Sequence, residues 1–299
     1  MKKVLVLLST YNGEKYLKEQ IDSVLAQKNT DVSILVRDDG STDKTLEILE
    51  KYKKDGKLEW YTGKNMKPAK SFLNLVRCAE TTYDYYAFCD QDDFWYSDKI
   101  SEAIYEMEKE PTMLPKLCYC NIELVDKNRR HLDDRKISNR CNFFDEMLLT
   151  YCVPGCTMVF NRNLLDIVKK HMPTKITMHD CWIYFVCVAV GGRIYSTESI
   201  GIQYRQHGGN VIGTNHISVK NKFKMILGKR KSPRQQMVAE ILEQFTEDLK
   251  NGKNLESLKI FSKYSNSFIS KLKILKIKNK VAPKRSFIKA KLMVVFNSL

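Results

Sequence analysis

Strand-length apolar runs alternate with helix-length amphipathic segments from the start of the chain, and this order constrains the fold more than any other feature. The pattern predicts a strand at 3–8, a helix at 14–27, a strand at 33–37 and a helix at 42–54. Strands that alternate with helices form a largely parallel sheet covered by helices. The alternation continues with strands at 58–61, 85–89, 117–124, 156–160 and 193–204, and helices at 69–79, 98–108, 163–170 and 179–189. We therefore predict an α/β fold with a mostly parallel sheet.

The positive charge is confined to the C-terminal part of the chain. Residues 1–217 hold 30 Lys and Arg against 30 Asp and Glu, whereas residues 218–299 hold 20 against 5. Such an asymmetry indicates a neutral body and a basic region that has its own partner. We expect one domain at 1–217 and a helical basic region at 218–299.

Within the basic region, apolar residues recur at helical spacing and lysines lie mostly between them, which predicts an amphipathic basic helix. The apolar positions are Leu255, Leu258, Phe261, Tyr264, Phe268, Leu272 and Leu275. Such a helix packs on the body with a solvated lysine face, or attaches to an anionic membrane surface, and the two are compatible. Nucleic acid ranks third because the chain has no recognised nucleic-acid motif, so we expect no nucleic-acid partner.

The N-terminal apolar run at 4–8 is too short for the core of a signal peptide, and no apolar stretch of roughly 20 residues follows. We expect a cytoplasmic protein that lies peripherally on the inner face of the membrane. Its nine cysteines are then expected as reduced thiols packed as small apolar groups. The pairs Cys118/Cys120 and Cys152/Cys156 lack the spacing of a structural zinc site.

Three polar clusters follow predicted strands: residues 9–13, residues 37–43 and residues 90–93. Each alone is typical of turns and helix caps. Because the carboxyl ends of parallel strands meet at one edge of a sheet, where ligands bind, the three together indicate a ligand site.

Three carboxylates, Asp90, Asp92 and Asp93, lie within four positions. They repel one another unless a cation lies between them. Mg²⁺ or Mn²⁺ takes such carboxylates and completes its ligand shell with substrate phosphates. A phosphatase of the haloacid dehalogenase type and a glycoside hydrolase also use paired carboxylates, but the first places them on its first strand and the second needs no nucleotide pocket. Walker and GxGxxG phosphate loops are absent.

Six motifs occur in order: STYNG, RDDGSTD, DQDDFW, PGCTM, MHDCW and YRQHGGN. With them, residues 3–215 resemble the family 2 glycosyltransferases of the nucleotide-diphospho-sugar transferase (GT-A type) fold, and among these the bacterial polysaccharide rhamnosyltransferases. The resemblance implies that Thr10, Tyr11, Asp38 and Asp39, with Asn12 in the same motif, bind the nucleotide. It further implies that Asp92 faces the ribose or the metal and that Asp93 binds the metal. Relatives often have two glycines where this chain has Gly155 and Cys156, which affects the expected shape of the acceptor loop.

Asp180 in MHDCW begins an apolar predicted helix. Inverting transfer needs one general base on the acceptor hydroxyl, opposite the leaving diphosphate, and the resemblance places that base at Asp180. A first-turn carboxylate that interacts with the helix dipole is the structural alternative. His179 is expected to orient Asp180.

Further candidates are Arg205, which could clamp a phosphate, and His207, which could contact the diphosphate or the metal, although a histidine near a loop is often structural. Trp95 and Trp182 could contact an acceptor sugar or belong to the core.

The expected activity is metal-dependent inverting transfer of rhamnose from dTDP-rhamnose to a lipid-linked saccharide acceptor. UDP-galactose, UDP-glucose and UDP-N-acetylhexosamine remain open as donors, and the chain itself leaves the oligomeric state open. A non-catalytic sugar-binding scaffold is the second hypothesis, which the presence of both Asp93 and Asp180 disfavours.

Overall fold

The computed structural model describes residues 1–137, 144–151, 153–174, 176, 178–207, 232–249, 253–280 and 282–296. Nine strands of these residues form one sheet in the order β3-β2-β1-β4-β8-β6-β9-β5, with β7 paired to β6. The strands are β1 (Lys2–Thr10), β2 (Thr30–Asp38), β3 (Glu59–Thr62), β4 (Tyr85–Cys89), β5 (Phe94–Trp95), β6 (Lys116–Val125), β7 (His131–Arg135), β8 (Met158–Asn161) and β9 (Arg193–Arg205).

Seven helices accompany the sheet and four follow it among the described residues. The first seven are α1 (Leu17–Leu25), α2 (Thr45–Lys54), α3 (Lys67–Cys78), α4 (Lys99–Glu108), α5 (Phe144–Thr150), α6 (Arg162–Lys170) and α7 (His179–Ala189). The C-terminal four are α8 (Pro233–Gln244), α9 (Lys253–Lys263), α10 (Phe268–Leu275) and α11 (Lys284–Val295).

The first half of the sheet is parallel, as the alternation predicts. Strand β1 pairs in parallel with β2 and β4, and β2 pairs in parallel with β3. The register aligns Thr10 with Asp38 and Leu8 with Cys89, so β1, β2 and β4 end together. The three polar clusters therefore meet at one edge.

The second half is mixed, because β8 runs antiparallel to both β4 and β6. A short 3-10 turn at Gly155–Thr157 leads into β8. Since an antiparallel strand starts where its neighbour ends, this turn lies at the edge that holds the polar clusters. The predicted α/β fold is confirmed. The sheet differs from the predicted mostly parallel one in its antiparallel pairings, which make it mixed. Strands β5 and β7 and helix α5 were not predicted: β5 has two residues, and β7 is exposed along its length.

Helix α7 is the centre of the core on the side of the C-terminal helices. All eleven of its residues are buried, which fits a helix that is apolar on every side. Helices α8 and α9 pack against it through Met237, Ile241, Leu258 and Phe261, all in the same hydrophobic core as the sheet. The C-terminal region is thus packed on the body, and the predicted boundary at 217 lies outside the described residues.

The predicted amphipathic helix from Leu255 to Leu275 is two helices. Helix α9 ends at Lys263, and Ser267 caps α10 by accepting a hydrogen bond from the Ser270 amide at 3.2 Å. None of the helices in the described ranges is long and apolar enough to cross a bilayer.

Seven cysteines in the described ranges are free, and six of them are buried, as expected for thiols packed in a core. They are Cys78, Cys89, Cys118, Cys120, Cys156, Cys181 and Cys187, of which Cys78 is exposed. Cys152 lies outside the described residues.

Candidate active site

A cavity of about 330 Å³ opens at the edge where β1, β2 and β4 end. Five of the predicted site residues form part of its wall: Thr10, Tyr11, Asp39, Asp92 and Asp180. They come from three strand ends and one helix start. The cavity therefore brings together side chains up to 170 positions apart in the sequence.

Five other predicted residues are described by the structure but do not belong to this wall: Asn12, Asp38, Asp93, Arg205 and His207. Their side chains contact the wall residues or the loops that carry them.

Gln91 joins the first and third clusters. Its Oε1 accepts hydrogen bonds from Thr10 Oγ1 at 2.6 Å and from the Tyr11 amide at 2.8 Å, and its Nε2 donates to the Tyr11 carbonyl at 3.2 Å. A Cβ at Gly13 would lie only 2.5 Å from Gln91 Oε1, so this approach requires glycine at 13. Tyr11 is 46% exposed and lines the cavity, and an exposed tyrosine ring can stack on a flat ligand such as a base.

Asp38 shapes the second cluster from inside the protein. Its carboxylate accepts hydrogen bonds from the amides of Gly40 and Ser41 and from the hydroxyls of Ser41 and Thr62. Asn12 binds the same loop, since its Oδ1 accepts from the Thr42 amide at 2.8 Å. That Asp38 and Asn12 contact the nucleotide stays a prediction. In this structure their side chains hold the loop after β2 in its conformation.

Asp39 lies in the wall and holds the segment before α3. It forms an ion pair with Arg37, and it accepts hydrogen bonds from the amides of Met66 at 2.8 Å and Lys67 at 3.0 Å. Lys67 has φ +68° and also lines the cavity. A lysine in this left-handed region is strained. Asp39 thus holds Lys67, whose backbone is strained, where its charged side chain lines the cavity.

The third cluster contains a buried group of possible ligands. One ligand atom each of Asp90, Asp93 and Cys156 lies within 4.8 Å of the others. Asp93 is 1% exposed. Its Oδ1 accepts a hydrogen bond from the Arg205 amide at 3.1 Å, whereas Oδ2 has no partner beyond the weakly donating Cys156 thiol.

Burial and mutual repulsion raise the pKa of Asp93 well above its ordinary value, with Asp92 and Asp90 as the repelling charges. The Asp90 side chain opens partly to the cavity, but dense packing and the charges of Asp92 and Asp180 raise its pKa as well. Burial raises the pKa of the Cys156 thiol, which therefore stays neutral. Two carboxylates beside a neutral thiol fit a hard divalent cation, which would remove the repulsion.

The predicted ligand set Asp92, Asp93 and His207 is divided in the structure. Asp92 Oδ2 pairs with His207 Nε2 at 2.8 Å, whereas Asp93 is grouped with Asp90 and Cys156. The His207 ring also lies 5.2 Å from the ring of Tyr16. A metal contact of His207 stays a prediction.

Arg205 is directed into the protein. Its guanidinium donates to the carbonyls of Asp92 at 2.8 Å and Lys127 at 2.9 Å and pairs with Glu19 at 2.5 Å. The predicted phosphate clamp is not supported by these contacts, which fix the DQDD turn instead.

Asp180 lies in the first turn of α7 and faces the cavity. It accepts hydrogen bonds from the Gly155 amide at 3.1 Å and from the Cys181 amide. Burial raises its pKa to about 7. A carboxylate that binds a proton near neutral pH is a suitable general base.

His179 does not orient Asp180 through a hydrogen bond. Its ring stacks on Phe72 at 4.0 Å, neither ring nitrogen has a hydrogen-bond partner among the described residues, and burial lowers its pKa to about 3. A Cβ at Gly155 would lie 2.4 Å from His179 Nε2. Glycine at 155 therefore permits the turn to approach α7 and reach Asp180.

Trp95 and Trp182 are both buried in the core, so neither lies where an acceptor sugar could contact it. The residues of this site that the sequence reasoning missed are Gln91, Lys67 and Cys156. The DQDD and PGCTM motifs contain Gln91 and Cys156, but only the pairing of β4 with β8 brings Cys156 to the carboxylates.

Comparison with known proteins identifies the family of the chain. Residues 5–167 match Glycosyl transferase family 2. The chain is 32% identical over 237 residues to a dTDP-rhamnosyl transferase, RfbG, of Shigella flexneri, covering 73% of this chain and 78% of the relative. It is 27% identical over 230 residues to an Escherichia coli protein, covering 76% and 84% respectively. That protein is the UDP-Glc:alpha-D-GlcNAc-diphosphoundecaprenol beta-1,3-glucosyltransferase WfaP.

The solved structure of S. aureus TarS 1–349 in complex with UDP-GlcNAc superposes with a TM-score of 0.60 at 18% identity. The match covers 98% of this chain and 81% of the TarS chain. This likeness shows the fold, which is of the GT-A type. The domain match and the RfbG relative show the family: the chain belongs to glycosyl transferase family 2.

Proposed function

We propose that this protein transfers rhamnose from dTDP-rhamnose to a saccharide carried on a membrane lipid, with inversion at the transferred carbon. The observation that carries the proposal is the position of Asp180. Its carboxyl group, with a pKa of about 7, lines the same cavity as Asp92 and Asp90 at the strand ends. One cavity thus offers a base and, separately, carboxylates for a cation.

The nucleotide would occupy the part of the cavity bounded by Thr10, Tyr11 and Asp39. The exposed Tyr11 ring gives a stacking surface, and Gln91 holds the Tyr11 backbone on both sides. The Lys67 side chain supplies the cation of this wall. These groups suit a nucleoside diphosphate, which has a flat base and a negative tail.

Asp90, Asp92 and Asp93 would hold Mg²⁺ or Mn²⁺. Oδ2 of Asp93, whose one partner among the described residues is the weakly donating Cys156 thiol, and the repulsion within the cluster support a cation there. When bound, the ion neutralises the negative charge of the leaving diphosphate. The chain's own contribution is to fix Asp93 through the Arg205 amide and the DQDD turn through the Arg205 guanidinium.

Asp180 would take the proton from an acceptor hydroxyl. The acceptor oxygen then forms a bond to the anomeric carbon of the sugar, the bond from that carbon to the diphosphate oxygen breaks, and the nucleoside diphosphate leaves with the bonding electrons. The hydrogen bonds from the amides of Gly155 and Cys181 hold the carboxylate in place. A base on the face opposite the leaving group gives inversion.

Support for the donor comes from the RfbG relative, which is a dTDP-rhamnosyl transferase. The alternative donor is UDP-glucose, which the more distant WfaP relative uses on a lipid diphosphate acceptor. The same relative supports a lipid-linked acceptor here, and hence polysaccharide synthesis at a membrane.

We further propose that the protein acts on the cytoplasmic side, held to the inner membrane surface by its basic C-terminal region. Residues 218–299 carry the whole excess of positive charge, and anionic lipids attract such regions.

The test is calorimetric titration with dTDP-rhamnose, UDP-glucose, UDP-galactose and UDP-N-acetylglucosamine, first with Mn²⁺ or Mg²⁺ and then with a chelator. We expect metal-dependent binding of dTDP-rhamnose above the others, and NMR of the product should show inverted anomeric configuration. Tight binding of UDP-glucose alone would transfer the proposal to that donor. Folded protein that binds none of them would favour the non-catalytic scaffold.

A further inference from the structure

Helices α10 and α11 expose a group of large apolar side chains that the core does not use. Thirteen large apolar residues are exposed among the described residues, and seven of them belong to or directly follow these two helices. The seven, which we name the hairpin face, are Phe268, Ile269, Leu272, Ile288, Leu292, Val295 and Phe296. Contiguous exposed apolar surface in a folded protein marks an interaction site.

Helical geometry places the hairpin face opposite the face that packs on the body. In α10, Phe268 and Leu272 lie one turn apart, and the buried Ile274 lies on the other side of the helix. In α11, Ile288 and Leu292 are related in the same way, and Phe287 and Val294 are buried on the other side. The apolar stripe is therefore separate from the core contact.

The two stripes form one surface because the helices run antiparallel side by side. Lys271 Nζ of α10 donates to the Val295 carbonyl of α11 at 3.1 Å, and Lys291 Nζ donates to the Leu275 carbonyl at 2.6 Å. The start of α10, with Phe268, thus lies beside the end of α11, with Val295.

The charge around the hairpin face is mostly positive, and the exposed Glu256 that pairs with Lys273 of α10 at 3.9 Å is an acidic exception. Residues 257–299 contain eleven Lys and Arg and no Asp or Glu. A second copy of this chain would place cations against cations, because a two-fold interface uses the same patch on both copies. An apolar surface surrounded by cations matches the interfacial region of an anionic bilayer, with acyl chains below and phosphates above.

The hairpin is bonded to helix α5, which precedes a segment of the cavity wall. The amides of Lys280 at 2.7 Å and Ala282 at 2.5 Å, between the two helices, donate to the buried Glu146 carboxylate of α5. Helix α5 ends at Thr150, four residues before Pro154, which lines the cavity. A membrane on the hairpin face would therefore bind the part of the protein that is bonded to the helix leading into the site.

We infer that α10 and α11 insert the hairpin face into the acyl boundary of an anionic membrane, as an in-plane anchor. This deepens the electrostatic attachment proposed above and rests on it, but it does not depend on the donor or on the chemistry of transfer. Insertion adds apolar burial to the attraction of the lysines, so binding should survive salt that screens exposed charges.

The experiment is flotation of the full chain with vesicles of phosphatidylglycerol and phosphatidylcholine, and of phosphatidylcholine alone, at about 0.1 M and about 0.5 M salt. The variant Phe268→Gln/Leu292→Gln removes two exposed apolar side chains. The matched control is Tyr105→Gln/Leu132→Gln, which changes residues that are 66% and 56% exposed elsewhere on the protein, compared with 75% and 54% for the hairpin pair. We expect the hairpin variant to bind anionic vesicles about tenfold less tightly and the control to bind like the unmodified chain.

A second readout reports insertion itself. Vesicles with brominated acyl chains should quench the fluorescence of the tryptophan introduced by Phe268→Trp. They should not quench that of the tryptophan introduced by Leu132→Trp. If all variants bind vesicles equally and high salt abolishes the binding, insertion is overturned and electrostatic attachment alone explains the binding. Absence of vesicle binding by the unmodified chain would overturn both without affecting donor binding. If the unmodified chain binds no lipid but is a dimer by light scattering, and only the hairpin variant is a monomer, then a second copy of the chain covers the hairpin face instead of lipid.

Discussion

Around the cavity this protein buries carboxyl groups, whereas on the C-terminal hairpin it exposes large apolar side chains. Asp93 is 1% exposed and Phe268 is 75% exposed. Each arrangement is unfavourable in the free protein, since buried charges lose hydration and exposed apolar groups order water. This comparison fits our proposals that a cation and a nucleotide complete the cavity and that lipid covers the hairpin.

The largest effect is expected from Asp180→Asn, which removes the base and keeps the shape. Transfer should fall by about 10³-fold while donor affinity stays within about twofold, because a general base acts in the transition state. Single-turnover assays and calorimetry measure the two quantities. Asp133→Asn, on an exposed strand, is the control, and an active Asp180→Asn variant would place the base elsewhere.

Asp93→Asn should weaken metal-dependent donor binding by about 100-fold, because one anionic ligand is lost. The amide oxygen still accepts the Arg205 hydrogen bond, so the fold is retained. In the unmodified protein Mn²⁺ should raise the melting temperature, and in the variant it should not. An Asp98→Asn variant should behave like the unmodified protein. If the metal stabilises Asp93→Asn equally, the buried carboxylate cluster has another explanation.

Transfer should increase with pH up to about 8, because Asp180 with its pKa near 7 must lose its proton to act. At about pH 6 the rate should be roughly tenfold below its plateau. The folded-state pKa is raised above 3.8, so this group stabilises the fold below pH 3.8 and that stabilisation is lost as the pH rises to about 7. The melting temperature in chelator should therefore fall less between pH 5 and pH 8 in Asp180→Asn. A flat rate profile would contradict the assignment.

The hairpin should matter only where a membrane is present. Phe268→Gln/Leu292→Gln should slow transfer to a lipid-linked acceptor in anionic vesicles by about tenfold, in proportion to lost binding. Turnover with a short soluble acceptor should be unchanged. Equal loss on both acceptors would mean that the hairpin supports the cavity itself, and the two regions would no longer be separable.

The smallest effect is expected at Lys67, which has a strained backbone and a charged side chain in the cavity wall. Lys67→Gly should raise the free energy of unfolding by about 1 kcal/mol, because glycine adopts positive φ without strain. Donor KM should rise several-fold through loss of the charge. Lys64→Gly, in the same exposed segment, is the control. A gain in stability without a change in KM would make Lys67 structural only.

Much of the catalytic half could be predicted from the sequence because its determinants are local. Alternation fixes which segments become β1, β2 and β4, and parallel pairing then brings Thr10, Asp39 and Asp92 to one edge. Grouping of Cys156 with Asp93 depends on the antiparallel strand β8, and the orientation of Arg205 depends on partners at Glu19 and Lys127. Long-range pairings of this kind have no local signal.

The sequence by itself determined the order of the elements, the motif residues at the strand ends and the concentration of cations after residue 217. Tertiary structure decided which faces are used. Leu258 and Phe268 belong to one helical pattern in the sequence, yet Leu258 is buried against the body and Phe268 is exposed. Periodicity shows that a helix has an apolar face, but only packing against a partner decides where that face lies.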